Sequence, residues 1–542
     1  MLTGEIATGK STLALELVKK YGFAHVKTTE LLEKLALKSH TRKEFEERGF
    51  KQTFGAKLDQ KTQGRWVVDE AQEAITNNHL VLVDAIRIKP QIEAFRSSFS
   101  QDVVHIHLTA PDDVKLQRFM DRRDKDQETT EKQKRTKYDK YKADETERQV
   151  NTLEADADLV IQTHRQSVGD NVTQAAAYLK LRAPILSKNV DVVIGGQFGS
   201  EGKGQIAAYL APEYDCLIRV GGPNAGHKVY QEPTPHTFHL IPSGSHRNKK
   251  ATIVIGPGAV VNLELLLKEI SFFDVGQRII IDENATVITN KDITDEQNES
   301  IGSTKKGVGA ATANNLFKNR LLGSEKHKAK NYPQLKPYMG DAFEVYDQVL
   351  SSAGKILLEG TQGTFLDLHH GFYPYVTSRP TSASGCLAEA GIGPGRVDKV
   401  IVVARRYPIR VQNPEGGTSG PFAVPDKYFE PDISWKEVSR RSKIPESELV
   451  KKEMTTATNR HRRVAEFNWA LFRKACELNT ATDVAFTFSD YIHVNNRDAR
   501  QFDQLTEETR KFIEKMERCS GVPVSLIATN FDFRAIVDRR KW

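Results

Sequence analysis

The stretch "GGQFGSEGKGQIA", Gly195–Ala207, decides how this 542-residue chain is read. An apolar run, "VDVVIGGQ" (Val190–Gln197), leads into it, and an alanine-containing helical pattern follows. Strand, glycine loop and helix in that order make an anion cradle. The glycines let backbone N–H groups approach a phosphate, and the helix N-terminus faces the charge. Gly199, Gly202 and Gly204 shape this loop, Glu201 lies within it, and Lys203 is its phosphate-reaching cation.

A second loop of the same kind opens the chain. "GEIATGKS", Gly4–Ser11, fits G-x-x-x-x-G-K-[ST]. Gly4, Thr8 and Gly9 form the backbone wrap, Lys10 reaches the terminal phosphates, and the Ser11 hydroxyl is a Mg²⁺ ligand. The amphipathic "TLALELVKKY" continues as a helix, while "LVLVDAI" (Leu80–Ile86), "DVVHIHLTA" (Asp102–Ala110) and "ADLVIQT" (Ala157–Thr163) read as buried parallel strands. Asp84, closing "VLVD", takes a Walker-B-type place. Only Met1, Leu2 and Thr3 precede Gly4, so either the first strand is truncated or the natural start lies upstream of this one. The charged run Asp121–Gln149 reads as a solvated helical excursion, or as a basic lid led by Arg118, Arg122 and Arg123. A helix at Val172–Leu181 then reaches the proline-containing "RAPILSKN", which divides a domain at 1–180 from one at 188–542.

Composition narrows the function classes. Hydrophobic content of 39% and charged content of 27% are those of a globular protein, and the length implies two or more cores. No apolar run is long enough to span a bilayer, and no signal-peptide pattern starts the chain. Cys216, Cys386, Cys476 and Cys519 lack metal-ligand spacing and read as reduced thiols, which fits a cytoplasmic protein. A net charge of +7 suits nucleotide partners, and the missing basic–aromatic stripe argues against nucleic acid.

Six blocks after residue 190 resemble the adenylosuccinate synthetase family in its own order. "GQFGSEGKGQ" is similar to G-Q-W-G-D-E-G-K-G-K, and "RVGGPNAGHKV" (Arg219–Val229) to G-G-x-N-A-G-H-T. "FHLIPSG" with "IGPGAVV", "IGSTKKGVGA" (Ile301–Ala310), "LLEGTQGTFLDLHHGFYPYVTS" (Leu357–Ser378) and "TNRHRRVAEFNW" (Thr458–Trp469) follow. Residues 1–165 resemble P-loop nucleoside-monophosphate kinases, chiefly at the loop, at "LVDAIR" with Arg87, and at "LTAPDDVKLQRFMDRRD". The fold implied is α/β throughout: a kinase-like parallel-sheet domain fused to a larger synthetase-like α/β domain.

The resemblance also implies a chemistry. A nucleoside triphosphate, GTP or ATP, phosphorylates the purine O6, and the amino group of L-aspartate displaces that phosphate from C6 of a purine monophosphate. His227 matches the histidine that stabilises charge at O6, Lys203 the loop lysine, and the Gly226 backbone a Mg²⁺ ligand. Asn224, Thr304, Gln362 and Thr377 match positions that hold the substrate nucleotide, and Gln362 also counts with the catalytic group. Arg460, Arg462 and Arg463 match the aspartate clamp, a task suited to planar guanidinium groups. Lys318 or Arg320 stands for an intersubunit arginine, implying a homodimer. His369 and His370 read as structural or substrate-adjacent, and Glu201 as a hydrogen-bonder of the loop as well as a nucleotide contact.

Ser200 occupies the position of the family's carboxylate base. A hydroxyl cannot take a proton unaided at neutral pH, yet it leaves room for a purine 2-amino group and is itself a Mg²⁺ ligand. This pattern, with "RRYPIRV" (Arg405–Val411), resembles the 2-aminoadenylosuccinate synthetase branch that takes GMP or dGMP. The base-reading T-K-L-D appears as "TFSD" (Thr487–Asp490), which keeps Asp490 and exchanges lysine for Phe488. Ordinary adenylosuccinate synthesis from IMP and a nucleotide-sensing or phage-defence role stay open alongside.

Overall fold

A computed structural model describes residues 1–542 apart from 47, 122–129, 144, 182–186, 231–234, 298–304, 317–326, 414–416, 425–430, 455–460 and 541–542, and apart from the side chains of 46, 48, 49 and 146. The chain divides into two compact units, Met1–Arg182 and Ala183–Trp542.

In the first unit a five-stranded sheet runs in the order Ala24–Lys27, Val81–Asp84, Leu2–Thr3, Ile106–Thr109, Leu159–Gln162, with every neighbouring pair parallel. The opening strand is only two residues long, but it lies at the centre, with Leu2 opposite both Asp84 and Ile106. The Met1 amino group extends this strand by donating to the Val104 carbonyl at 2.7 Å, and burial lowers its pKa to about 6. Thr3 is held from beneath, its Oγ1 lying 2.6 Å from His105 Nε2 and 2.8 Å from His107 Nδ1. The charged run forms helices Glu131–Lys142 and Glu145–Thr152, and the helix expected at Val172–Leu181 spans Val168–Tyr178.

The second unit is built on a ten-stranded sheet. Its order is Met339–Gly340, Ile279–Asp282, Thr252–Ile255, Cys216–Arg219, Ile356–Glu359, Val190–Gly195, Val397–Arg405, Asp483–Thr487, Val524–Ala528, Ile536–Asp538. All pairs are parallel except the last. Strands buried on both faces should be near-continuous apolar runs, and the central stretches of these are, with polar residues mainly at their ends. Val192, Ile194, Ile218, Leu358, Val402 and Phe486 fill one face, while Val193, Leu217, Leu357, Ile401, Val403 and Ala485 fill the other. Ligands of such sheets gather beyond the carboxyl ends of the strands. There Gly195, Arg219, Glu359, Arg405 and Thr487 close five adjacent strands.

Candidate functional site

The loop after Val190–Gly195 turns through left-handed backbone at Gly199 (φ 99°), Ser200 (φ 29°) and Gly202 (φ 88°) before helix Lys203–Leu210 begins. Its first partner is internal. Glu201 is fully buried, and its carboxylate accepts the Gln197 N–H (3.0 Å), the Gly199 N–H (2.8 Å) and the Lys203 ammonium (2.6 Å). Glu201 therefore fixes the loop from within, and Ser200 is left exposed at its apex. Gly204 brings the helix against the neighbouring histidine: a Cβ there would sit 2.8 Å from the Cβ of His227.

His227 starts a short strand paired with His236–Phe238 and is buried. Its Nδ1 lies 2.5 Å from Glu359 Oε1. The same carboxylate accepts the Ser243 N–H at 2.7 Å and the Ser243 hydroxyl at 2.5 Å, and Arg219 approaches it to 3.7 Å. Burial and the neighbouring Arg219 push the His227 pKa down to about 3. Burial works against charge on Glu359, but the hydrogen bond and charge of His227, with Arg219, hold it at about 2. The pair therefore rests as a neutral imidazole donating Nδ1–H to a carboxylate, which leaves Nε2 for a ligand.

Around it, Gln362 stands in left-handed backbone (φ 63°), donates Nε2 to Thr377 Oγ1 at 2.8 Å, and has a buried Oε1 with no partner. Asn224 likewise has a buried, unpartnered Oδ1. A buried polar atom without a partner is costly, so each of these amide oxygens is available to accept a hydrogen bond from a ligand. On the far side, Phe488 (φ 58°) packs against Gly202 and meets Phe531 edge-on at 5.9 Å. Burial raises the pKa of Asp490 to about 6, against the opposing charge of Arg497.

In the first unit, Gly4 and Gly9 take φ of 135° and 98°, and Lys10 folds back to donate to the Gly4 and Glu5 carbonyls, the latter at 2.8 Å. Thr8 Oγ1 donates to the Glu5 carbonyl, and the Thr8 carbonyl accepts from Thr163 at 2.8 Å. Ser11 is exposed at the helix start, and Asp84 keeps a buried Oδ1 with no partner. Arg118 is fastened to Thr163 by two 2.8 Å bonds, a support of the loop and not the head of a lid. Glu147 accepts the Ile6 N–H at 3.1 Å and pairs with Arg87 at 3.2 Å.

Comparison with known proteins supplies the family. The adenylosuccinate synthetase model matches residues 192–325 and 318–497, and an AAA domain model matches residues 1–139. The chain belongs to the adenylosuccinate synthetase family. The adenylosuccinate synthetase of Methanocaldococcus jannaschii is 36% identical over 360 residues, 64% of this chain and 96% of that protein. The adenylosuccinate synthetase of Archaeoglobus fulgidus is 34% identical over 361 residues, 65% of this chain and 98% of that protein. Two solved structures share the fold. The fully ligated Plasmodium falciparum adenylosuccinate synthetase has a TM-score of 0.54 at 20% identity, covering 65% of this chain and 99% of that one. The cyanophage S-2L succinoaminodeoxyadenylate synthetase, bound to dGMP and dATP, has a TM-score of 0.52 at 24% identity, covering 65% and 96%.

Within this synthetase-type unit the structure redistributes several expected roles. Arg462 and Arg463, the expected aspartate clamp, are drawn to protein carboxylates. Arg462 binds Glu453 at 3.0 Å, and Arg463 binds Asp432 at 2.7 Å, the Gly420 carbonyl at 2.8 Å and Asn413 at 3.0 Å. Among the described residues the contact of Arg462 is made through Nη1, whereas Arg463 uses Nε, Nη1 and Nη2. Thr304, Lys318, Arg320, Arg460 and Arg122 lie outside the described residues. His369 and His370 are exposed. Sequence reasoning missed Glu359, Ser243, Arg219, Arg405 and Glu453. Glu359 stood inside a quoted block, but its partner His227 is 132 positions away.

A magnesium ion fits the donors available. No group of three or more His, Cys, Asp or Glu converges among the described residues, and a hard cation such as Mg²⁺ takes oxygen donors and commonly the substrate's phosphates. The exposed hydroxyl of Ser200 and the Gly226 backbone offer such oxygens in the synthetase unit. Ser11, with the unpartnered Asp84 oxygen, offers them in the first unit.

Proposed function

We propose that the second unit joins L-aspartate to C6 of GMP or dGMP, giving the 2-amino form of adenylosuccinate, at the expense of a nucleoside triphosphate with Mg²⁺. The observation that carries this reading is the loop apex. Ser200 is neutral and exposed there, and the adjacent acid, Glu201, is committed to the loop's own amides and to Lys203. In the family pattern a carboxylate at that point takes the N1 proton, and since guanine carries the same N1–H, the discriminating feature is the 2-amino group. A guanine base brings a 2-amino group, which donates to the Ser200 hydroxyl in space a carboxylate would fill.

The γ-phosphoryl group moves to the purine O6, leaving the nucleoside diphosphate, and the N1 proton passes through water to a phosphate oxygen or to solvent. The aspartate amino group then attacks C6, inorganic phosphate departs, and the surplus amino proton passes to solvent. The loop amides and Lys203 face the phosphates. With the triphosphate bound, its negative charge and Glu359 draw a proton onto His227 Nε2, and the resulting imidazolium donates to the charge building at O6 and the phosphoryl oxygens. The open amide atoms of Gln362 and Asn224 hold the base, and Arg462 takes an aspartate carboxylate. Mg²⁺, when bound with the triphosphate, neutralises phosphate charge during transfer.

Phe488 in place of lysine loosens the preference for guanine in the triphosphate, so ATP or dATP serves as donor. The cyanophage fold neighbour carries dGMP and dATP, which makes that pair the first to try. We assign the first unit nucleotide-monophosphate kinase activity and the assembly a homodimer. A second reading, synthesis from IMP, is favoured by the names of the archaeal relatives at 34–36% identity.

Substitution Ser200→Asp tests the assignment, with aspartate adducts of GMP, dGMP and IMP read by mass spectrometry. The wild type should yield the guanine adducts, and the variant should lose them and gain the IMP adduct. A wild type that turns over IMP alone, or a variant with an unchanged preference, contradicts it.

A further inference from the structure

Glu453 ends the helix Glu446–Lys452 and is 1% exposed. Its Oε1 accepts from Arg405 Nη2 at 2.6 Å and from the Tyr491 hydroxyl at 2.9 Å, and its Oε2 accepts from Arg462 Nη1 at 3.0 Å. Arg405 is equally buried and extends the contact: Nη1 donates to the Ser200 carbonyl at 3.1 Å, and the guanidinium lies 3.9 Å above the Phe488 ring. One carboxylate thus reaches the apex of the phosphate loop, the aromatic platform beside it, and the arginine of the aspartate segment.

The charges make this more than packing. Burial opposes ionisation of Glu453, but Arg405 and Arg462 hold its pKa at about 2. Two guanidinium groups share a single carboxylate in a dry interior, and such a network tolerates little displacement of any member. Ser200 and Arg462 sit on separate stretches of chain, 262 positions apart, and Arg405 and Glu453 connect them.

We propose that Glu453 is a positioning residue that sets the phosphate loop and Arg462 in register, so that the triphosphate and aspartate sites are placed by one buried carboxylate. The proposal rests on the reading that this site takes both ligands. A shift of the loop at Ser200 pulls on Arg405, and through Glu453 on Arg462. A perturbation on the loop side therefore changes how aspartate binds, although Arg405 touches no aspartate-facing group directly. Such coupling is reciprocal and is measurable as an interaction term between substitutions.

The test is a cycle on the full chain, using Arg405→Lys in the wild-type and Glu453→Gln backgrounds, with KM for aspartate and for the triphosphate as readouts. Arg405→Lys should raise KM for aspartate three- to tenfold in the wild type and leave it unchanged once Glu453→Gln has cut the link. Glu453→Gln alone should raise both KM values about tenfold, and Glu453→Asp should restore them in part. If Glu453→Gln does not fold, Arg462→Lys replaces it in the cycle and should likewise abolish the remote effect of Arg405→Lys. An Arg405→Lys effect confined to the triphosphate, or one that persists in the second background, overturns the proposal. Failure of the underlying reading looks different: the wild type itself then forms no aspartate adduct from any monophosphate.

Discussion

Replacing Glu359 by Gln keeps the shape of the site and removes one charge. Glu359 accepts from His227 Nδ1, the Ser243 N–H and the Ser243 hydroxyl, and it faces the buried Arg219, whose Nε and Nη1 have no other partner. An amide has one accepting oxygen, so at least one of these donors is stranded, and Arg219 is left as an uncompensated buried cation. Breaking a buried pair from one side costs about 3–5 kcal/mol. For a unit of this size that corresponds to a fall in Tm of about 4–7 °C. The imidazole also loses the acceptor that fixes its tautomer, and kcat should fall by about 10²- to 10⁴-fold, the range of a positioned acid–base group. Differential scanning fluorimetry and aspartate-dependent phosphate release measure the two effects. A variant with unchanged Tm and unchanged kcat would refute the view that Glu359 holds His227 in its working state.

Other expectations follow from the same geometry. His227 stays neutral in the fold down to about pH 3, whereas an unfolded histidine titrates near 6.5, so the unfolded chain binds the extra proton between those values. Stability from this residue is complete above pH 6.5 and lost as pH falls toward 3, and His227→Gln should flatten the dependence of Tm on pH between 6 and 4. Asp490, with its pKa raised to about 6, is an ionised acceptor for guanine N–H groups only above that pH. With GTP offered as an alternative donor to ATP, its KM should therefore fall by roughly tenfold between pH 5 and 7, and the trend should vanish in Asp490→Asn. Lys10→Ala should abolish aspartate-independent phosphoryl transfer to a monophosphate and spare adduct formation, and Lys203→Ala should do the reverse, as product mass spectrometry would show.

What could be read from the sequence was local. Glycine spacing placed both phosphate loops, because left-handed backbone at Gly4, Gly9, Gly199 and Gly202 is a property of those residues. Continuous apolar runs gave the parallel strands, although the run at Asp102–Ala110 pairs only over Ile106–Thr109. The carboxylate at the centre of each buried network was not legible. Glu359 and Glu453 owe their roles to side chains that arrive from distant strands, and neither spacing nor composition encodes that meeting. The same limit holds at Arg463: an arginine-rich segment signals anion binding, and the contact with Asp432 that the fold supplies could not be read from it. Ser200 was the informative exception, since its meaning lay in what it replaced.

The measurement that bears most directly on the central claim is a one-pot competition. Wild-type protein, Mg²⁺, aspartate, ATP and dATP are mixed with equal amounts of IMP, GMP and dGMP, and the adducts are counted by mass spectrometry at low conversion. The account predicts adducts of the guanine nucleotides in large excess over that of IMP. An excess of the IMP adduct would contradict it.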